Sequence, residues 1–248
     1  MSTASSPAKP LTVAAIQSCY IPWRGYFDFI ASVDVFVIYD DVQYSTGSWR
    51  NRNKVKAGGG LKWITVPVSQ NLGMAIDQVT LGRSPKPWKD AHRRLLHDSL
   101  SAAPHFKDAL ALWEDAIAHN DTLLSALNVR LLKNICAYLG IATPFVNARD
   151  FELTGEKTAR LIQLLTKMKA TCYVSGPAAQ AYIETSAFID NRIGLHYKSY
   201  DYPPYPQLGG GFEPAVTVLD LIANLGPESR NFIRSTTPDS VVVPSKFS

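Results

Sequence analysis

Two apolar runs of strand length open the chain. Residues 11–17 (LTVAAIQ) and 35–39 (VFVIY) carry almost no polar interruption. Strands covered on both faces read this way, which points to a parallel sheet. Residues 26–32 space their apolar positions as a helix does and supply the crossover that parallel pairing needs. Residues 54–60 (KVKAGGG) read as a glycine-rich turn. Trp63 to Val68 is a further short apolar run, and 76–81 alternates apolar with polar as an edge strand does. Three helices are expected over about 88–101, 106–118 and 121–139. In the third, Leu124, Leu127, Leu131, Ile135 and Leu139 recur at spacings of three and four, so one face is core. Asp121 is its expected N-cap and Gly140 its stop. Alternation then returns: a helix over 157–168, a strand over 171–175, a short helix over 178–184 and a strand over 193–197. A Pro- and Gly-rich loop over 200–212 and a helix over 216–225 complete it.

This pattern predicts an α/β fold with a parallel, Rossmann-like sheet in a single domain over 11–236. A helical insertion occupies about 86–140. Residues 1–10 read as a disordered leader and 237–248 as a peripheral tail. Open α/β sheets bind ligands outside the carboxyl ends of their strands. The stretch from Gln17 to Asn53, which follows the first two strands, is therefore where a site is expected.

Composition narrows the options. The 248 residues are 46% hydrophobic and 19% charged, which is ordinary globular usage. A formal charge of +4, spread along the chain, lacks the dense basic stripe of a nucleic-acid surface. It suits anionic small molecules equally well. Cys19, Cys136 and Cys172 have neither metal-like spacing nor an even count, so the expectation is no metal, no disulfide framework and a reducing compartment. No apolar run approaches the roughly 20 residues of a membrane span, and the expected location is cytoplasmic. Glycine-rich dinucleotide and Walker-type loops are both missing, so the motifs identify no cofactor.

Candidate chemistry concentrates in four places. The loop from Tyr20 to Gly25, with Pro22 and Trp23, opens a helix at Tyr26; its backbone N–H groups face an anion there, or the loop is merely shaped by its turn residues. Asp40 and Asp41 leave the second strand in opposite directions. One caps a turn while the other accepts from sugar hydroxyls or acts as a base; otherwise both belong to a solvated turn. The run Trp49-Arg50-Asn51-Arg52-Asn53 carries two guanidinium groups suited to phosphate or carboxylate, beside an indole that a bland polar loop rarely needs. His92 shares a helix face with Trp88 and Leu95 and is either a base or a structural histidine. The loop bearing Tyr200, Tyr202, Tyr205 and Gln207 is a substrate lid or a rigid connector.

Together these residues resemble the WbqC-like protein family of bacterial surface-polysaccharide gene clusters. The carrying motifs are Gln17, Tyr20, Pro22, Trp23, Gly25, Tyr26 and Phe27; then Asp34 to Val37 with Asp40 to Gln43; then Ser48, Trp49, Asn51, Arg52 and Asn53. Looser matches follow at Trp88, His92, Ser175, Gly176, Tyr182, Tyr205, Gln207, Phe212 and Asp220. The sequence departs from the pattern at Ser18-Cys19 and at Thr217. The resemblance implies a transferase that forms an amide between an acyl or aminoacyl donor and an amine on a nucleotide-linked sugar. For that reaction, His92 or Asp41 is the candidate base by its own chemistry. Asn51, Arg52 and Asn53 would meet phosphate or an oxyanion, and Tyr205 and Gln207 would close over the substrate. Gln17, Tyr20, Trp23, Gly25, Tyr26, Asp40, Gln43, Trp49, Ser175 and Gly176 would line the rest of the site. The macromolecular donors that would fit are a charged tRNA or a carrier protein; other nucleic acid is not expected. A second similarity, to nucleotidylyltransferase and pantothenate-synthetase domains, makes a carboxylate-activating ligase the alternative enzyme. Their usual histidine pair is absent, with Gln17 and Trp23 to Tyr26 in its place. A non-catalytic nucleotide-sugar binder is the third reading.

Overall fold

The structure is a computed structural model that describes residues 10–82, 87–119 and 121–245. All but the last residue of the expected leader lies outside these. Among the described residues the chain is mixed α/β with a six-stranded sheet at its centre. β1 (Thr12–Ile16), α1 (Arg24–Ala31) and β2 (Val35–Ile38) form the expected crossover, with β1 and β2 paired in parallel. The chain then builds a long excursion before β7 (Phe145–Asn147) pairs in parallel with β2. α5 (Lys157–Lys167), β8 (Cys172–Ser175), α6 (Thr185–Asn191) and β9 (Gly194–Tyr197) complete the parallel part. In space these five strands lie in the order β9-β8-β1-β2-β7. By order of appearance that is 5-4-1-2-3, so the winding reverses between β1 and β8.

The two-sided apolar pattern of β1 and β2 is explained by the layers. Successive side chains point to opposite faces. Ala14, Phe36 and Ile38 face a core with Phe27 and Ile30 of α1, while Val13 and Val37 face a second core with Leu161 and Leu165 of α5 and Phe188 of α6. Residues 237–248 are more than a peripheral tail. Within them β10 (Ser240–Val243) pairs antiparallel with β9 and closes that edge of the sheet.

The excursion between β2 and β7 holds the three expected helices as α2 (Trp88–Leu100), α3 (Phe106–Ala118) and α4 (Leu124–Tyr138). It also holds two small antiparallel ribbons. The segment read as a glycine-rich turn is mostly strand: β3 (Arg52–Ala57) and β4 (Gly60–Thr65) form a hairpin about Gly58 and Gly59, both at positive φ. Glycine suits that backbone, and the alternation of charged and apolar residues on β3 is the strand signal that the glycines obscured. Of the expected edge strand at 76–81, residues 76–78 form a 3-10 turn. Only β6 (Thr80–Leu81) pairs, with β5 (Val68–Ser69). Asp121 does not cap α4, whose N-cap position is Leu123; its carboxylate accepts from Arg130 at 3.0 Å instead. The last helix, α7 (Val218–Leu225), is capped by Thr217, whose hydroxyl accepts from the Leu219 N–H at 3.3 Å. No helix among the described residues is long and apolar enough to cross a membrane.

Candidate functional site

A cavity of about 710 Å³ opens at the carboxyl ends of β1, β2 and β8, where the winding of the sheet reverses. Its wall includes Gln17 and Cys19 after β1, Tyr39 and Val42 after β2, and Ser175 and Gly176 after β8. Trp23 and Tyr26 come from the start of α1, Trp49 and Arg50 from the polar run, and Lys157, Thr158 and Arg160 from the first turn of α5. Tyr182 and Tyr200 complete one side. The wall carries three cationic side chains, eight aromatic rings and no carboxylate.

Several wall residues are held by specific contacts. The Tyr26 hydroxyl donates to the Gln17 carbonyl at 3.0 Å, and Arg50 Nη1 donates to the same oxygen at 3.1 Å. That leaves most of the Arg50 guanidinium donors for a ligand. No carboxylate among the described residues forms an ion pair with Arg50 or Lys157. The Trp23 indole stacks edge-on against Tyr200 and Tyr202, with centroids at 5.1 and 5.3 Å. It lies so close over Gly25 that a Cβ there would stand 2.4 Å from a ring carbon. Gly25 therefore serves the indole, and the helix opening follows from that. A Cβ on Gly176 would stand 2.9 Å from the Tyr200 hydroxyl. Burial pushes the Cys19 thiol up to about 11 and the Tyr200 phenol up to about 12, so both stay protonated near neutrality.

Asp41 sits behind the wall rather than in it. Its carboxylate accepts from Arg160 Nη2, and both side chains are largely buried. It fixes the Arg160 guanidinium, so its role is to position a cation and not to serve as an open base. Asp40 is buried, and it accepts from the Ser18 backbone N–H at 2.7 Å and from the Ser125 hydroxyl. Burial raises its pKa. It ties the end of β2 to the loop after β1 and contacts no ligand space.

Asn53, Tyr20 and His92, also expected at the site, brace that loop. Ile21 has φ +36°, a conformation that a β-branched residue rarely adopts. Asn53 donates to the carbonyls of Tyr20 at 3.3 Å and Ile21 at 2.7 Å, while its own oxygen accepts from the Lys54 N–H. Tyr20 is fully buried; its hydroxyl accepts from Trp113 Nε1 at 2.7 Å and donates to His92 Nδ1 at 2.9 Å. His92 Nε2 donates to the Thr65 carbonyl at 3.0 Å. Both ring nitrogens are thus occupied, the imidazole is buried, and it does not line the cavity. His92 is a structural histidine. Desolvation lowers its pKa to about 4, against the hydrogen bond it donates to the Thr65 carbonyl, which favours the charged form.

A pH dependence follows. The folded pKa lies below the ordinary value of 6.5, so the unfolded chain takes up a proton first as pH falls. The contribution of His92 is complete above pH 6.5 and is lost between 6.5 and about 4, at about 1.4 kcal/mol per unit. Urea midpoints measured from pH 7 to pH 5 should fall. A His92→Gln variant, which cannot titrate, should flatten that slope; an unchanged slope would show that other groups govern it.

Three further expected contacts stand elsewhere. Asn51 donates to the Val66 carbonyl at 2.8 Å and is buried. The Arg52 guanidinium lies 4.2 Å from the Trp63 ring centroid on the hairpin. Gln43 is exposed and pairs with Ala75 through an isolated backbone bridge. Tyr205 and Gln207 do not close over the cavity. Their side chains donate to Asp220 Oδ1 at 2.7 and 2.8 Å, which pins the loop to α7. Of that loop, Tyr200 alone reaches the cavity wall. Sequence reasoning missed Tyr39, Lys157, Arg160 and Tyr173 as wall residues, whereas Tyr200 comes from the loop expected as a lid or connector. A positive φ of +50° at Lys157 gives its α5 entry an unusual turn, which no residue pattern announces.

Comparison with known proteins agrees with the motifs. The model of the WbqC-like protein family matches residues 17–232. A Mycobacterium tuberculosis (strain ATCC 25618 / H37Rv) protein described as "Uncharacterized protein Rv1507c" is 47% identical over 227 residues, which span 90% of this chain and 97% of that protein. No solved structure gives a significant match.

Proposed function

The chain belongs to the WbqC-like protein family, and from that premise we propose that it is a biosynthetic transferase. Its ligand is a nucleotide-linked amino sugar, bound in the cavity between β1 and β8. The fold reading behind this is a Rossmann-like doubly wound sheet, whose switch point is the usual place for a nucleotide. One observation carries the proposal: Arg50, Lys157 and Arg160 meet on a wall of aromatic rings that offers no carboxylate. Such a wall favours an anion with flat rings, as a nucleoside diphosphate is. The volume of about 710 Å³ falls in the range of small-molecule sites.

In this reading the sugar amine attacks an activated acyl carbon. The new C–N bond forms as the bond from that carbon to the donor's leaving group breaks, and the amine proton departs with the leaving group or to solvent. Arg50 and Lys157 hold the diphosphate, or the oxyanion that develops on the acyl oxygen. Arg160, its charge largely offset by Asp41, helps shape the wall, and the cations there without an ion-pair partner among the described residues are Arg50 and Lys157. Trp23, Trp49 and Tyr200 orient the rings. No side chain is assigned as base, because Cys19 and Tyr200 remain protonated and His92 is sealed off. Those same protonated groups favour, as a second reading, a nucleotide-sugar binder without turnover.

Trp23 and Trp49 line the cavity, so intrinsic fluorescence reports its occupancy. Titration with nucleoside diphosphates is expected to quench the signal with saturation, whereas neutral sugars leave it unchanged. Absence of any nucleotide response would overturn the reading. Mass spectrometry of an amino-sugar nucleotide incubated with activated acyl donors separates transferase from binder. Pyrophosphate release with ATP would instead mark a carboxylate-activating ligase.

A further inference from the structure

We propose that the outer face of the β3–β4 hairpin binds single-stranded nucleic acid, independently of what fills the cavity. The hairpin is two-sided. Asn53, Val55 and Ala57 turn inward and are buried, while Arg52, Lys54 and Lys56 alternate with them on the other side. Their partners across the ladder are Thr65, Trp63 and Leu61. Three cations therefore stand at successive same-face positions, two strand rises or about 6.6 Å apart. No Asp or Glu occurs anywhere in residues 42–76. Among the described residues no carboxylate forms an ion pair with Arg52, Lys54 or Lys56; Lys56 reaches the Gly211 carbonyl and Gln207 Oε1 instead. The mild net charge of the chain concealed this concentration.

The aromatic half of the surface is as specific. Trp63 is 45% exposed and Trp49 44%, unusual for indoles, and their centroids lie 5.3 Å apart. Arg52 and Lys54 lie 4.2 and 5.1 Å from the Trp63 ring centroid, so cations and indole share one surface. Repeating cations beside open rings match the repeating phosphates and bases of a single strand. A duplex hides the base faces that such rings stack upon. An acidic protein would use the cations and leave the indoles unexplained. Trp49 also lines the cavity, so a strand lying along the hairpin ends at the cavity mouth.

The test is fluorescence anisotropy of the full chain with labelled ten-nucleotide RNA, DNA and duplex probes. Single strands are expected to bind with a log–log salt slope near about −2, from three phosphates at about −0.7 each. Trp63→Ala should weaken binding on the order of 10-fold or more, and Trp63→Phe should restore much of it. Lys54→Gln should reduce the slope by about 0.7. Lys133→Gln, an exposed cation on α4, should change little. Equal binding of duplex, or indifference to Trp63→Ala, would overturn the proposal. So would Trp63-dependent binding to polyglutamate or anionic vesicles in place of oligonucleotides. If Lys157→Ala abolishes oligonucleotide binding while Trp63→Ala does not, the strand occupies the cavity and not the hairpin. Failure of nucleotide binding to the cavity would leave the hairpin result standing.

Discussion

Arg50→Ala is expected to weaken nucleoside diphosphate binding about 10- to 100-fold at constant salt. A hydrogen bond to a charged group contributes roughly 1.5–3 kcal/mol, and each 1.4 kcal/mol is tenfold. Arg50 donates one N–H to the Gln17 carbonyl and presents the rest of its guanidinium to the cavity. Loss of the Gln17 contact complicates this variant, so two others accompany it. Arg50→Lys keeps charge without the planar fork and should recover only part of the affinity. Lys157→Ala removes an exposed cation and should weaken binding without altering the fold. Raising ionic strength should reduce wild-type affinity more than that of either alanine variant. Affinities of all three variants equal to wild type by calorimetry would mean that the anion lies elsewhere.

His92→Ala is expected to destabilise the protein by about 2–4 kcal/mol, with nucleotide affinity within a few-fold of wild type. The change empties a buried site and leaves the Tyr20 hydroxyl and Thr65 carbonyl without their partner. Each abandoned buried polar group costs about 1–3 kcal/mol, and the vacated volume adds to that. The strained Ile21 turn sits beside Tyr20, so its geometry loosens with the same change. Urea unfolding and ligand titration measure the two effects separately. Unchanged stability together with abolished turnover would return His92 to the role of base.

Much of the fold was legible because its signals are local. The apolar runs of β1 and β2, the spacing of Leu124 to Leu139 and the alternation after residue 157 each report burial within a few residues. The hairpin was obscured because Gly58 and Gly59 drew the reading toward a turn, although Arg52 to Ala57 alternates as a strand. β10 was missed because a short Val run near the chain end says nothing about which edge it joins.

The site was legible only by region. Gln17, Trp23, Tyr26, Trp49, Ser175 and Gly176 do line one cavity. Asn51, Asn53, Tyr205, Gln207, Asp40 and His92 carry the polar chemistry of a site but use it on backbone and buried partners. A side chain that binds substrate and one that braces a strained loop have the same letters. What differs is whether its donors and acceptors are already satisfied, and that depends on residues far off in the chain. Asn53 meets a carbonyl 32 positions away, and His92 a phenol 72 positions away.

The stretch from Gln17 to Asn53 thus kept its place at the centre, and the sequence by itself determined that it would. It placed two buried parallel strands with polar loops at their carboxyl ends, because hydrophobic period and turn chemistry are written in neighbouring residues. Tertiary structure alone decided which polar groups stay free. It brought Lys157 and Arg160 from α5 and Tyr200 from the late loop onto the same wall as Arg50. It also sealed His92 beneath that wall. Long-range packing sets those distances, and no local pattern encodes them.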